Sequence, residues 1–212
     1  MAKIFLVRHG ETDWNKQEIF RGTIDVPLND VGLKQADLLG QALKKTKMSV
    51  IYTSELSRAY QTASAIAEYQ NVKLIKEQGF NDMCFGLWEG KTLDMVKKDY
   101  PELYNLWKTK PHKAEFPSGE NLDMVKKRVK LSLNKIIKNH FEDNVVISSH
   151  RVITKVLLCY VLGLSNSHFW QIKQDNCCLN IIEYSIKDGF TVNLINDTCH
   201  LKELKVNKLG DF

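Results

Sequence analysis

"KIFLVRHGETDWN", residues 3–15, starts as a buried strand and then delivers an arginine and a histidine side by side. After Lys3 the run to Val7 is continuously apolar, which suits a strand covered on both faces. Arg8 and His9 have no packing use at its end. Burying a neutral polar group without a partner costs about 2–7 kcal/mol, so the pair points to a site and not to a core. Gly10 follows, and a glycine there lets the backbone approach a ligand closely.

Outward from this stretch, strand-like runs recur at "SVIYT" (49–53), "VKLI" (72–75) and "NVVIS" (144–148). Helical patterns separate them at 31–45, 57–69 and 119–141, and another at 151–163 stops at Gly163, a C-cap signal. This alternation predicts an α/β fold of βαβ units with a mostly parallel, doubly covered sheet. "LNIIEYSI" and "FTVNLI" flank "KDG" and predict a C-terminal β-hairpin. Residues 79–118 break the alternation with Pro101, Pro111, Pro117 and many aromatics, so they are expected to leave the sheet and form a substrate wall or lid. The whole chain, 1–212, is read as one domain.

Hydrophobic content of 43% and charged content of 26% are those of an ordinary globular chain. No apolar run approaches the ~18–20 residues of a membrane span, and "MAKIFLVRHG" lacks a signal peptide's apolar region and cleavage site. A cytoplasmic protein without membrane contact is therefore expected. The five cysteines are odd in number and form no C-x-x-C pair, so buried thiols are expected in place of disulfides. The six histidines are not spaced with them as zinc ligands, and no metal is expected. A net charge of +5 hints at anionic partners. The basic clusters "KTKPHK" (108–113) and "KKRVK" (126–130) carry no interleaved aromatics, and no nucleic-acid partner is read from them. The second is expected to be the solvated face of a helix whose other face holds Leu122, Val125, Val129, Leu133 and Ile136.

Arg58 falls in the first turn of the helix after the second strand, and His150 ends "VVISSH" at the close of another. In a parallel sheet all strand carboxyl ends lie on one edge, where ligands bind. Arg8, His9, Arg58 and His150 therefore converge, with helix N-termini adding positive partial charge. Arginine forks match the oxygens of a phosphate, and a neutral imidazole can take a phosphoryl group covalently. A small phosphorylated metabolite is the partner this predicts.

"RHGETDWN", "RGTIDVPLNDVG", "SELSRAYQTA", "FGLWEG", "FPSGEN" and "SSH", in that order over roughly residues 3 to 180, resemble the histidine phosphatase superfamily in its phosphoglycerate mutase-like branch. The blocks are closest in pattern to α-ribazole and broad-specificity phosphatases. The resemblance implies that His9 is the phosphorylated nucleophile, with Arg8 and Arg58 as phosphate clamps. It implies that His150 holds a phosphoryl oxygen, that Asn15 contacts phosphate, and that Arg21 and Gly22 line the substrate side. It implies no cofactor and no metal. The expected activity is hydrolysis of a phosphomonoester. The alternative is a cofactor-dependent phosphoglycerate mutase, but the arginine-rich segment with which such mutases grip a bisphosphate has no counterpart in 101–117, which lacks arginine.

Two positions depart from the family pattern. Asp82 stands where a glutamate proton donor, one methylene longer, is usual, so it is expected to be the acid or else a turn residue of "FND", and Arg151 stands where glycine usually follows the second histidine. Arg151 is either a solvent-facing residue of the helix N-terminus or an extra anion contact. Cys84 is also unusual in its block. Trp88 and Glu89 look structural, Glu11 and Glu120 look like orienting or capping residues, and Tyr100, Tyr104, Trp107 and Phe116 are wall or core.

Overall fold

Strand β1, Ala2–Arg8, lies inside a six-stranded sheet of order β3-β2-β4-β1-β5-β6. The computed structural model describes residues 1–202 and Leu204. Strands β2 (Val50–Thr53), β3 (Lys73–Lys76) and β4 (Asn144–Ser149) join β1 in a parallel set. The predicted hairpin, β5 (Leu179–Ser185) and β6 (Gly189–Asp197), extends the sheet antiparallel on the far side of β1. The register pairs Leu6 with Ile147 and Arg8 with Ser149, so β1 and β4 end side by side.

The unbroken apolar run of β1 has its explanation in the two layers it feeds. Side chains alternate across a strand. Ile4 and Leu6, with Tyr52, Val145 and Ile147, enter a core shared with α6 (Leu122–Asn139) and α7 (Arg151–Val161). Phe5 and Val7, with Ile51 and Val146, enter a second core shared with α2 (Asp30–Leu43) and α3 (Ser57–Glu68). On α6 the five apolar residues anticipated from spacing are all buried. Asn29 and Asn121 start α2 and α6 by accepting from Gly32 N and Met124 N, each at 2.9 Å; such caps each contribute about 1 kcal/mol.

A single short turn, α1 (Asp13–Lys16), follows β1, and the excursion at 79–118 folds into α4 (Leu93–Asp99), α5 (Pro101–Thr109) and short 3₁₀ turns. Its aromatic side chains pack together. Phe116 meets Trp88, Trp107 and Phe85 edge-on at ring distances of 4.8, 5.4 and 5.1 Å. Edge-to-face pairs contribute about 0.5–1.5 kcal/mol each beyond burial, which ties the excursion to the main core. Tyr100 and Tyr104 pack against that cluster from outside.

Cys159, Cys177 and Cys178 are buried as expected, but Cys84 is half-buried and Cys199 exposed. Cys199 lies in a surface 3₁₀ turn after β6, which gives it nothing to pack under. Burial pushes the Cys178 thiol up to about 12 and Cys177 higher still, which keeps both neutral. Among the described residues no helix is long and apolar enough to cross a membrane.

Candidate active site

Three strand ends deliver the polar groups. Arg8 and His9 close β1, Arg58 stands in the first turn of α3 after β2, and His150 is the N-cap residue of α7 after β4. His9 N donates to Ser149 O at 2.9 Å, which fixes the two strand ends together. The imidazoles of His9 and His150 lie 5.2 Å apart between ring centres, and both are fully buried with Arg58.

His9 is oriented by its neighbour. Its Nδ1 lies 2.6 Å from the Gly10 carbonyl, which can only accept, so Nδ1 carries the proton. In the neutral ring Nε2 is then a bare lone pair, and this buried atom has no partner among the described residues. Burial, followed by the charges of Arg58, His150, Arg21 and Arg8, holds the His9 pKa well below its ordinary value. The His9 ring is therefore neutral at pH 7.

Arg58 is the hub. Its Nε donates to His150 Nδ1 (3.2 Å), its Nη1 to Ile24 O (3.0 Å), and its Nη2 to both Gly22 O (2.8 Å) and Asp82 Oδ2 (3.1 Å). Because Nδ1 of His150 accepts, Nε2 carries the proton and donates to Ser54 Oγ at 2.8 Å. Ser54 in turn donates to Asn81 Oδ1 at 2.9 Å. The His150 pKa is lowered by burial first and then by Arg58 and Arg21.

Arg8 Nη1 donates to the Gln174 carbonyl. Arg21 Nη1 reaches Thr12 Oγ1 at 3.3 Å, while its buried Nε has no partner among the described residues. Burial and the nearby Arg58 and Arg8 charges push the Arg21 pKa well down. Burial lowers that of Arg58 too, against the opposing pull of Asp82. So many guanidinium groups in one cleft repel each other until an anion enters. Asn15 Oδ1 is engaged by Thr12 N and Thr12 Oγ1, both at 3.0 Å, and Asn176 Nδ2 donates to Gly10 O at 3.1 Å beside it.

Gly22 takes φ +51°, and a Cβ there would sit 1.9 Å from Glu89 Oε1. Glu89 itself accepts from Thr23 N and Phe85 N, which makes it the structural residue expected. Gly10 departs from expectation. Its Cβ would meet the Gly32 carbonyl of α2 at 2.6 Å, so helix packing by itself demands glycine there.

Asp82 is 7% exposed and faces Arg58, with its other oxygen accepting from Met83 N at 3.0 Å. Its backbone is clamped by Arg128, which donates to the carbonyls of Gly79, Asn81 and Asp82 and pairs with Glu120. Arg128 corrects the reading of 126–130 as wholly solvated. Among lysines it looked like one more surface charge, and only the fork geometry of arginine hinted otherwise. Ser54, Gln174 and Asn176 were also missed; each bonds to partners distant in sequence and belongs to no recognisable pattern. Arg151 is buried and borders Arg21, Gly22, Asp82 and Phe85, which removes the solvent-facing alternative. Among the described residues no three His, Cys, Asp or Glu side chains group to hold a metal.

The family profile described as "Histidine phosphatase superfamily (branch 1)" matches residues 4–198. The chain is 39% identical over 206 residues to Phosphoserine phosphatase 1 of Hydrogenobacter thermophilus, covering 97% of each chain. It is 26% identical over 205 residues to a probable phosphoglycerate mutase, GpmB, of Yersinia pestis, covering 95% of each. It superposes with a TM-score of 0.84 on a phosphoserine phosphatase variant from Entamoeba histolytica solved with phosphoserine, at 26% identity, covering 95% of this chain and 100% of that one.

Proposed function

The chain belongs to the histidine phosphatase superfamily and hydrolyses a small phosphomonoester, and we propose that its substrate is phosphoserine or a close analogue. The 39% identity to a phosphoserine phosphatase over nearly the full length supports the substrate. The observation that carries the chemistry is the buried Nε2 of His9, set among arginines and without a partner among the described residues.

In this reading the Nε2 lone pair attacks phosphorus, and the ester P–O bond breaks as the N–P bond forms. Arg8, Arg21 and Arg58 hold the peripheral oxygens, where charge accumulates in the transition state. His150, once the bound dianion draws a proton onto Nδ1 and Arg58 Nε turns from it to the phosphate, donates from Nδ1 to a phosphoryl oxygen, and the Asn15 amide contacts another; Gly22 lines the substrate side. Asp82 gives its proton to the departing alkoxide. Water then attacks phosphorus, its proton goes to the Asp82 carboxylate, the P–N bond breaks, and phosphate leaves. One domain over residues 1–212 performs this without a cofactor. Its free thiols suit the reducing cytoplasm.

The 26% identity to a probable mutase favours a second reading. Against it stands the segment 101–117, which has no arginine to grip a bisphosphate. Phosphate release from a panel of phosphorylated metabolites, in excess EDTA, decides between them. Phosphoserine should give the highest kcat/KM, and added 2,3-bisphosphoglycerate should not unlock interconversion of phosphoglycerates. Rapid mutase turnover would overturn the proposal.

A further inference from the structure

Ser54 has a hydroxyl whose every bond direction is fixed by its neighbours. The residue follows β2 and is fully buried, and its Oγ lies 2.8 Å from His150 Nε2, 2.9 Å from Asn81 Oδ1 and 3.2 Å from Leu56 N. The Asn81 amide accepts from Glu55 N at 2.8 Å and donates from Nδ2 to Glu55 Oε2 at 3.0 Å, so its oxygen and nitrogen cannot exchange places. Asn81 Oδ1 only accepts, and the single hydroxyl proton of Ser54 goes to it. Leu56 N takes one of the two lone pairs of Oγ, and the other faces His150 Nε2. A hydroxyl so committed can only accept from the ring.

The two contacts on the His150 ring fare differently when an anion enters. Arg58 Nε, which donates to Nδ1, turns to the phosphate, and Nδ1 then takes a proton from solvent and donates to a phosphoryl oxygen. This cation forms against the charges of Arg58, Arg21, Arg128 and Arg8, beside the neutral ring of His9. Asp82 Oδ2 lies 3.6 Å from Nδ1, but Asp82 carries no charge once it holds the proton for the leaving group, so the phosphate is the anion that offsets the arginines. Nε2 keeps its proton throughout. Among the described residues Ser54 is its hydrogen-bond partner in both states. His150 is thus kept in the tautomer opposite to that of His9, whose proton sits on Nδ1.

We propose that Ser54 is a positioning residue for His150, whose hydroxyl holds the ring by Nε2–H so that the Nδ1 edge meets the transferring phosphoryl group. This role presupposes the phosphatase reading of the site, in which His150 serves the phosphoryl oxygens. Without the hydroxyl, Nε2–H is buried with no acceptor, and the charged ring suffers more from that than the neutral one. The loss falls on the grip of the phosphoryl group, and the nature of the leaving group does not enter into it. That separates Ser54 from Asp82, whose work depends on how badly the leaving group needs a proton.

The test joins turnover of phosphoserine and p-nitrophenyl phosphate by the wild type, Ser54→Ala and Ser54→Cys to ¹⁵N NMR of the His150 ring, free and with orthovanadate bound. In the free wild type Nε2 should carry the ring proton, and with vanadate both ring nitrogens should. Ser54→Ala should lose about 10–100-fold in kcat/KM, the scale of a lost charge-assisted hydrogen bond, equally on both substrates, and vanadate should leave its His150 ring neutral. Ser54→Cys, close in shape but a weak acceptor, should lose as much; full activity in it would show that Ser54 only fills space. A larger loss on phosphoserine than on p-nitrophenyl phosphate would mean that Ser54 acts through Asn81 on the loop of Asp82, and would overturn the role. A bare Nε2 in the free wild type, or an Nδ1 left unprotonated with vanadate, would overturn it whether or not a variant folds. If phosphoserine is not hydrolysed, the substrate assignment fails, and the p-nitrophenyl phosphate and vanadate measurements still decide on Ser54.

Discussion

Both oxygens of Asp82 accept a hydrogen bond, one from Arg58 and one from Met83 N. To donate a proton, Asp82 must release one of them, and a phosphate drawing Arg58 toward its own oxygens frees the one that faces the ester. The backbone that carries this side chain is fixed by Arg128, which grips the carbonyls of Gly79, Asn81 and Asp82. Asp82→Asn should therefore lower kcat on phosphoserine by about 10²–10⁴, the usual range for lost acid catalysis. It should harm p-nitrophenyl phosphate far less, because that leaving group departs without a proton. Equal losses on both substrates would make Asp82 a positioning residue for Arg58. Residues of this kind were legible from sequence only where a motif or a strand end marked them: His9, Arg58 and His150 were, whereas Arg128 and Ser54 act through backbone and side-chain partners distant in sequence.

The approach of α2 to the turn after β1 sets where His9 can stand. Gly32 and Gly10 face each other, and a Cβ on Gly32 would meet the Glu11 carbonyl at 2.1 Å and the Glu11 amide nitrogen at 2.8 Å. Backbone cannot swing aside as a flexible side chain can. Alanine is favoured over glycine in helices by about 1 kcal/mol, yet Gly32→Ala should destabilise by about 1–3 kcal/mol through overpacking. Activity should fall with it, because the displaced segment carries His9; urea unfolding and kcat/KM check the two halves. A stabilised, fully active variant would show that α2 does not position His9. The alternation of strands and helices foretold every element of the two-sided sheet, because periodicity reports which faces are covered. It could not foretell that Gly10 serves a helix contact, since the partner glycine lies 22 residues on and leaves no local signal.

The folded molecule keeps two imidazoles neutral in a cleft of positive charge, and its stability follows from that. An unfolded histidine has a pKa of about 6.5, and burial lowers those of His9 and His150 in the native state. The unfolded chain thus binds more protons below that pH. Stability from these groups is present above about pH 6.5 and is lost as pH falls toward their native values, with a slope of up to about 1.4 kcal/mol per pH unit for each. The urea midpoint should fall between pH 7 and pH 5, and His9→Gln should flatten the slope; a level profile would contradict the burial of neutral rings. Above all, the whole account depends on Nε2 of His9 becoming bonded to phosphorus. Rapid quench with ³²P-labelled phosphoserine, followed by peptide mapping, tests that directly. We expect an acid-labile, base-stable phosphohistidine at residue 9, substituted on Nε2 because Nδ1 is held by the Gly10 carbonyl, and absent in His9→Ala. An acid-stable adduct, phosphorylation at another residue, or undiminished turnover by His9→Ala would contradict it.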